Sequence, residues 1–219
     1  MVKRAFRTFL SFAVPLLVLS SCAAGSRLHV PGDLSRPARA ALPAAGAPRA
    51  EIADFSWTRA ADGAIGRDYD RARPIVWNGD PGKAMADLFA GALREGGVAS
   101  RRTGEGAPGS GELPVRITGK VRRFEVNARR PGGVNVVIEA TVGLTVTAEG
   151  AGLPGPSEQS VTSSTSLGDL FVTPDDLREA LLSAANAAAE EAARKLIEAG
   201  VFSPPPPPPP PPAEAAGGK

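Results

Sequence analysis

Chemistry-bearing side chains are scarce in this chain. Its 219 residues include one cysteine, one histidine, one tyrosine and two tryptophans, and aromatic residues amount to 5% of the whole. A single cysteine excludes an internal disulfide, so the core must be held by packing alone. The lone His29 rules out a histidine-rich metal centre. It also falls in an Ala/Pro/Gly-rich stretch where nothing rigid would orient it for a Ser-His-Asp arrangement. No Gly-rich loop leads into Lys-Ser/Thr, and no dinucleotide fingerprint follows a strand pattern. The expectation is a protein that is not an enzyme and needs no cofactor and no metal.

What is present begins at the N-terminus. A short basic segment, Lys3-Arg4-Ala5-Phe6-Arg7, leads into the apolar run from Phe9 to Leu19 and then into Leu19-Ser20-Ser21-Cys22. That run is too short for a spanning helix and has the layout of a secretory leader. Leu-Ser-Ser-Cys resembles the lipobox of bacterial lipoproteins, in which the cysteine becomes the lipidated first residue of the mature chain. Ser21-Cys22-Ala23 also offers small residues to an ordinary signal peptidase, and cleavage after Ala23 would discard the cysteine. Three of the 25 basic residues and none of the 23 acidic ones lie in this leader, which leaves 22 basic against 23 acidic groups. The basic character of the full chain is thus partly a leader effect, and nucleic acid is not an expected partner.

Residues 1–21 therefore read as a lipoprotein signal peptide. Residues 22–50 read as the lipidated cysteine followed by an Ala/Pro-rich tether, whose flexible span would be about 30 Å. Residues 51–202 are long enough for one domain with a real core. Residues 203–219, with nine prolines from Pro204 to Pro212, read as a stiff disordered tail extending roughly 28 Å along the proline run.

Within 51–202 the hydrophobic pattern is legible. Ile52 to Trp57 reads as a strand with Ala53, Phe55 and Trp57 on one side, and Arg59 to Gly79 as an irregular polar stretch. Asp80-Pro81 opens a helix with the apolar stripe Met85, Leu88, Phe89, Ala92 and Leu93, and Gly96-Gly97 stop it. Val98 to Arg101 reads as a short edge strand. Val115, Ile117, Gly119 and Val121 alternate, and Phe124 and Val126 take the opposite phase, which places a bulge near Arg122-Arg123. Arg130-Pro131-Gly132-Gly133 supplies a turn, and alternation from Val134 to Ala148 marks the return strand. Glu158 to Ser166 reads as a third, polar strand. Thr173, Pro174 and Asp176 open a last helix, with Val172 and Leu177 spaced as a hydrophobic staple and an alanine-rich stripe reaching Leu196. The predicted fold class is α+β: a two-layer arrangement, mostly antiparallel sheet, both helices on one face. The other face would be wet, or open to a partner, to lipid or to a second copy.

Candidate binding residues lie in Arg67-Asp68-Tyr69-Asp70-Arg71-Ala72-Arg73, leading to Pro74-Ile75-Val76-Trp77. Asp68 and Asp70 would serve glycosidic chemistry only in distinct environments, and the alternating signs favour mutual neutralisation on a solvated surface. A clamp for a protein partner or an anionic headgroup suits Tyr69, Arg71, Arg73 and Trp77 better, with loop packing as the plain alternative for the two aromatics. The pairs Arg101-Arg102, Arg122-Arg123 and Arg129-Arg130 would form a phosphate site only if they converged; Glu125 and Glu139 offer them ordinary ion pairs.

The lipobox, the Arg73–Trp77 stretch, the Asp80–Gly97 helix, the Val115–Ala148 hairpin and the Thr173–Gly200 helix together resemble YajG-type outer-membrane lipoproteins and the auxiliary lipoproteins of envelope ABC transport systems. The resemblance implies a non-enzymatic accessory or interaction protein of envelope maintenance or transport, without a catalytic residue to carry over. The proline tail and the long alanine-rich stretch depart from that pattern. In the lipoprotein class an aspartate after the cysteine retains the protein at the inner membrane. Ala23 occupies that position here, so the expected address is the outer membrane, lipid-anchored and facing the periplasm. The alternative role is lipid or lipopolysaccharide binding, for which Met85, Phe89 and Leu181 would line a groove between helices and sheet.

Overall fold

A computed structural model describes residues 26–34, 47–58, 63–104, 115–150 and 153–203 of the chain. The leader, Cys22 and the Pro204–Pro212 run lie outside the described residues. Among the described residues, nine strands and two helices follow in the order β1 (Leu28–Val30), β2 (Arg49–Ile52), β3 (Ser56–Trp57), β4 (Ala64–Asp68), β5 (Arg73–Trp77), α1 (Pro81–Glu95), β6 (Ala99–Arg102), β7 (Val115–Arg129), β8 (Val136–Glu149), β9 (Ser157–Asp169) and α2 (Pro174–Glu198).

The long strands β7, β8 and β9 form an antiparallel ribbon, with Arg116 opposite Glu149 and Val136 opposite Asp169. Period-two alternation sends Val136, Ile138, Ala140, Val142, Leu144, Val146 and Ala148 to one side, where all are buried. The phase change in β7 is absorbed by a register shift between Val121 and Arg123, at the predicted bulge. The other edge of β7 is shared by three short strands in succession, β2, β3 and β4, all running parallel to it. β6 lies parallel outside β2, β5 antiparallel outside β4, and β1 parallel outside β5. The sheet is mixed, and its long pairings are antiparallel.

Both helices pack on the face carrying the buried residues and against each other. Asp80 caps α1, its carboxylate accepting from the amides of Gly82 (2.8 Å) and Lys83 (3.3 Å), ahead of Pro81 in the first turn. Thr173 and Asp176 form a complete capping box on α2, with Thr173 N–H donating to the Asp176 carboxylate at 2.8 Å and Asp176 N–H to the Thr173 hydroxyl at 3.2 Å. Alanines 180, 184, 185, 188, 189, 192 and 193 line the buried face of α2, and their small side chains let the helix lie close on β8 and β9. Met85, Phe89, Leu93, Leu177, Leu181 and Leu196 fill the layer between helices and sheet. The structure is the predicted two-layer α+β fold.

Three stretches differ from the sequence expectation. Residues 28–30 and 49–50, read as tether, belong to β1 and β2; three and four residues are too few to print a period. His29 accordingly sits on a strand, with Nδ1 2.9 Å from the Asn78 side-chain oxygen. The irregular polar stretch contains the β4–β5 hairpin, hidden by its charges and Pro74. The expected strand over 52–57 is split: Ile52 faces Ile117 while Ser56 faces Lys120, so one extra residue is accommodated between them. Phe55 then turns inward over Gly119, where a Cβ would stand 2.5 Å from its ring.

Candidate functional site

The strand directions bring three connections to one end of the sheet. β4 ends beside Ala128, β7 ends at Arg129, β8 begins at Val136 opposite the last residue of β9, and α2 starts just beyond. The β4–β5 turn, the β7–β8 turn and the β9–α2 connection therefore form a single rim.

Asp68 organises the first of these turns. It is 1% exposed; Oδ1 accepts from the amides of Asp70 (3.2 Å) and Arg71 (3.3 Å), and Oδ2 accepts from the Arg73 guanidinium at 2.7 and 3.2 Å. The turn is tied to β7 through Tyr69 N–H donating to Ala128 C=O at 2.8 Å. Arg130 links it to the neighbouring turn, donating to the Asp70 carboxylate (3.3 Å) and to the Val134 carbonyl. Gly132 and Gly133, at φ 112° and 121°, occupy backbone that other residues rarely adopt, and so permit the second turn.

Of the residues predicted for binding, the structure separates two pairs. Tyr69 is 61% exposed, and Arg71 is exposed with no guanidinium partner among the described residues. Arg73 is engaged with Asp68. Trp77 is 2% exposed and packs edge-on against Phe124 at 5.4 Å, which corrects its reading as a surface anchor. Its Nε1 is buried without a hydrogen-bond partner among the described residues, close to the Cα side of Gly79. Asp68 is likewise not solvated: it is a buried turn organiser, and Asp70 is paired with Arg130, so the two carboxylates do not face a common cleft as a catalytic pair.

The dibasic pairs do not converge. Arg102 binds Asp54 and Asp87 near the start of β7, whereas Arg129 pairs with Glu139 at its far end, roughly 40 Å away by strand rise. Arg123 pairs with Glu125. Met85, Phe89 and Leu181 are wholly buried, so they do not line an open groove. The open face of the ribbon is polar, with hydroxyl pairs Thr141–Ser164 (3.0 Å) and Thr145–Ser160 (2.8 Å) spanning β8 and β9. Among the described residues no group of three His, Cys, Asp or Glu side chains is placed to hold a metal. At the other end of α2 the Arg194 hydrogen bond holds the Glu191 carboxyl below its usual range, and the same contact raises the Arg194 guanidinium.

Beside Tyr69, the rim also carries residues that the sequence pattern did not single out. Among the described residues the exposed large apolar side chains are Tyr69, Val134 (71%), Leu170 (49%) and Phe171 (68%), and all four stand on it. Val134 was expected in the return strand, but β8 begins two residues later and leaves it on the turn. Leu170-Phe171, an apolar pair between Asp169 and the Thr173 cap, was the available signal: neither strand nor helix periodicity requires it.

A two-layer α+β domain with an apolar, arginine-bearing rim is thus the class that fold and site define. No family model matches the chain, and no characterised protein matches it in sequence. Among solved structures it is similar to a Xanthomonas campestris protein of family DUF330, at 15% identity and a TM-score of 0.49, over 80% of this chain and 95% of that one. It is also similar to a minor lipoprotein from Acinetobacter baumannii, at 12% identity and a TM-score of 0.35, over 68% of this chain and 93% of that one. Both scores are below 0.5, and neither likeness bears on chemistry or partners.

Proposed function

We propose that the protein is a lipid-anchored envelope protein, acylated at Cys22, that serves as a non-enzymatic accessory or interaction component of envelope maintenance or transport at the periplasmic side of the outer membrane. The observation that carries the reading is the N-terminal series: basic Lys3 to Arg7, apolar Phe9 to Leu19, then Leu19-Ser20-Ser21-Cys22 holding the only cysteine of the chain. Ala23 after the cysteine favours the outer membrane. The interaction role draws on Tyr69 and Arg71, exposed on the rim, and on the neutralisation of Asp68 and Asp70 by Arg73 and Arg130. A lipid-handling role draws less support, because the side chains expected in its groove are buried in the core.

The test is the mass of the mature N-terminal peptide together with flotation of membranes bearing wild-type or Cys22→Ala protein. Acylated Cys22 and release of the variant into the soluble fraction are expected. An unmodified N-terminus at Ala24, or unchanged flotation of Cys22→Ala, overturns the anchor.

A further inference from the structure

The rim is placed where the chain leaves the domain toward Cys22. β1 runs parallel to β5 with Leu28 opposite Ile75 and Val30 opposite Trp77. Continuing that register backward brings Arg27 level with Pro74 and Ser26 level with Arg73, the first residue after the β4–β5 turn. Only four residue steps separate Ser26 from Cys22, and four residues span at most about 14 Å. The working tether is therefore a short leash, far below the reach expected from treating 23–50 as coil. The same end of the domain carries every exposed large apolar side chain among the described residues.

We infer that this rim rests on the bilayer that holds the anchor, with Tyr69, Val134, Leu170 and Phe171 inserted into the interfacial layer and Arg71 and Arg130 at the level of the lipid phosphates. The inference rests on acylation of Cys22. A cluster of apolar tips on turns, with a tyrosine and arginines between them, matches the composition of the membrane–water boundary, where an aromatic ring with a polar end and a guanidinium both find partners. A bilayer is the occupant because the leash ends at this rim and nowhere else, so the four side chains are held beside lipid whenever the anchor is inserted. The Arg71 guanidinium, without a partner among the described residues, is available to a phosphate. Asp169 and Asp175 flank Leu170-Phe171, so the rim has little net charge and apolar contact carries the attachment. Docking fixes the domain upright: the β7–β8–β9 ribbon stands away from the surface, and its hydroxyl-bearing open face is presented sideways to the periplasm.

The experiment uses the full-length, acylated protein in phosphatidylethanolamine/phosphatidylglycerol vesicles. A thiol-reactive fluorophore is placed at Phe171→Cys or Val134→Cys on the rim, or at Glu149→Cys at the other end of the ribbon, and quenched by lipid carrying a headgroup nitroxide. Quenching about three-fold or more stronger at the rim positions is expected, since Glu149 stands roughly 40 Å along the ribbon from them. The difference should persist when salt is raised or phosphatidylglycerol is left out. Equal quenching at all three positions, in protein whose mass shows acylated Cys22, overturns the rim and leaves the anchor standing. Wild-type protein that takes up the fluorophore has a free Cys22 thiol, which withdraws the anchor and the rim together.

Discussion

Asp68 and Ala72 show how much of the rim is decided by single residues. The Asp68 carboxylate meets two turn amides and the Arg73 guanidinium while almost fully buried, so truncating it strands a charge and two donors at once. Asp68→Ala is expected to lose about 2–4 kcal/mol in urea unfolding, and Asp68→Asn less, because the amide oxygen still accepts from the turn. Ala72 is the one non-glycine residue with positive φ among those described, at 50°. An L side chain pays for that conformation, whereas glycine does not, although glycine loses more entropy on folding. Ala72→Gly should therefore raise stability by about 0.5 kcal/mol, read as a higher denaturant midpoint with an unchanged slope. These two residues also mark what sequence reasoning reached at this scale. The Arg67–Arg73 segment reads as a candidate binding stretch from its charges, but its alternating signs favour a solvated surface. Only the packing of β4 against Ala128 turns Asp68 inward.

At the scale of elements, legibility followed length. Strands of 13 to 15 residues and helices of 15 and 25 repeat their period often enough to be read, and the bulge in β7 was visible because the phase changed within one long run. β1, β3 and β4 have three, two and five residues, and their pairing is supplied by β5 and β7 from elsewhere in the chain. No local pattern announces β1 or β4, whereas β3 falls inside the strand read over 52–57 and β6 nearly coincides with the edge strand read over 98–101. Helix α2 illustrates the opposite case, where composition states the packing distance. Its buried face is nearly all alanine, and Ala184 and Ala188 are fully buried against the ribbon side. A larger side chain there must push the helix off β8 and β9, since a core packed to crystal-like density has no room to spare. Ala184→Leu is expected to cost about 1–3 kcal/mol in spite of its added apolar area, whereas Ala→Leu at an exposed α2 position should leave the midpoint nearly unchanged.

For the whole molecule, the decisive quantity is the distance between the anchor and the first residue of the sheet. A leash of four residues keeps the rim at a high effective concentration over lipid, so weak apolar contacts suffice to dock it. Lengthening the leash lowers that concentration without changing any contact. Inserting twenty Gly/Ser residues between Gly25 and Ser26 gives a flexible connection with a root-mean-square span of about 27 Å, and effective concentration falls roughly as the three-halves power of length, on the order of fifteen-fold. The insertion lies ahead of β1 and should not alter thermal unfolding. Flotation with membranes should be retained, because the acyl chains are untouched, while nitroxide quenching at Phe171→Cys drops toward the value at Glu149→Cys. Quenching that stays at its original level would mean that the rim binds lipid by its own affinity, and the short leash would then have no part in holding the domain upright.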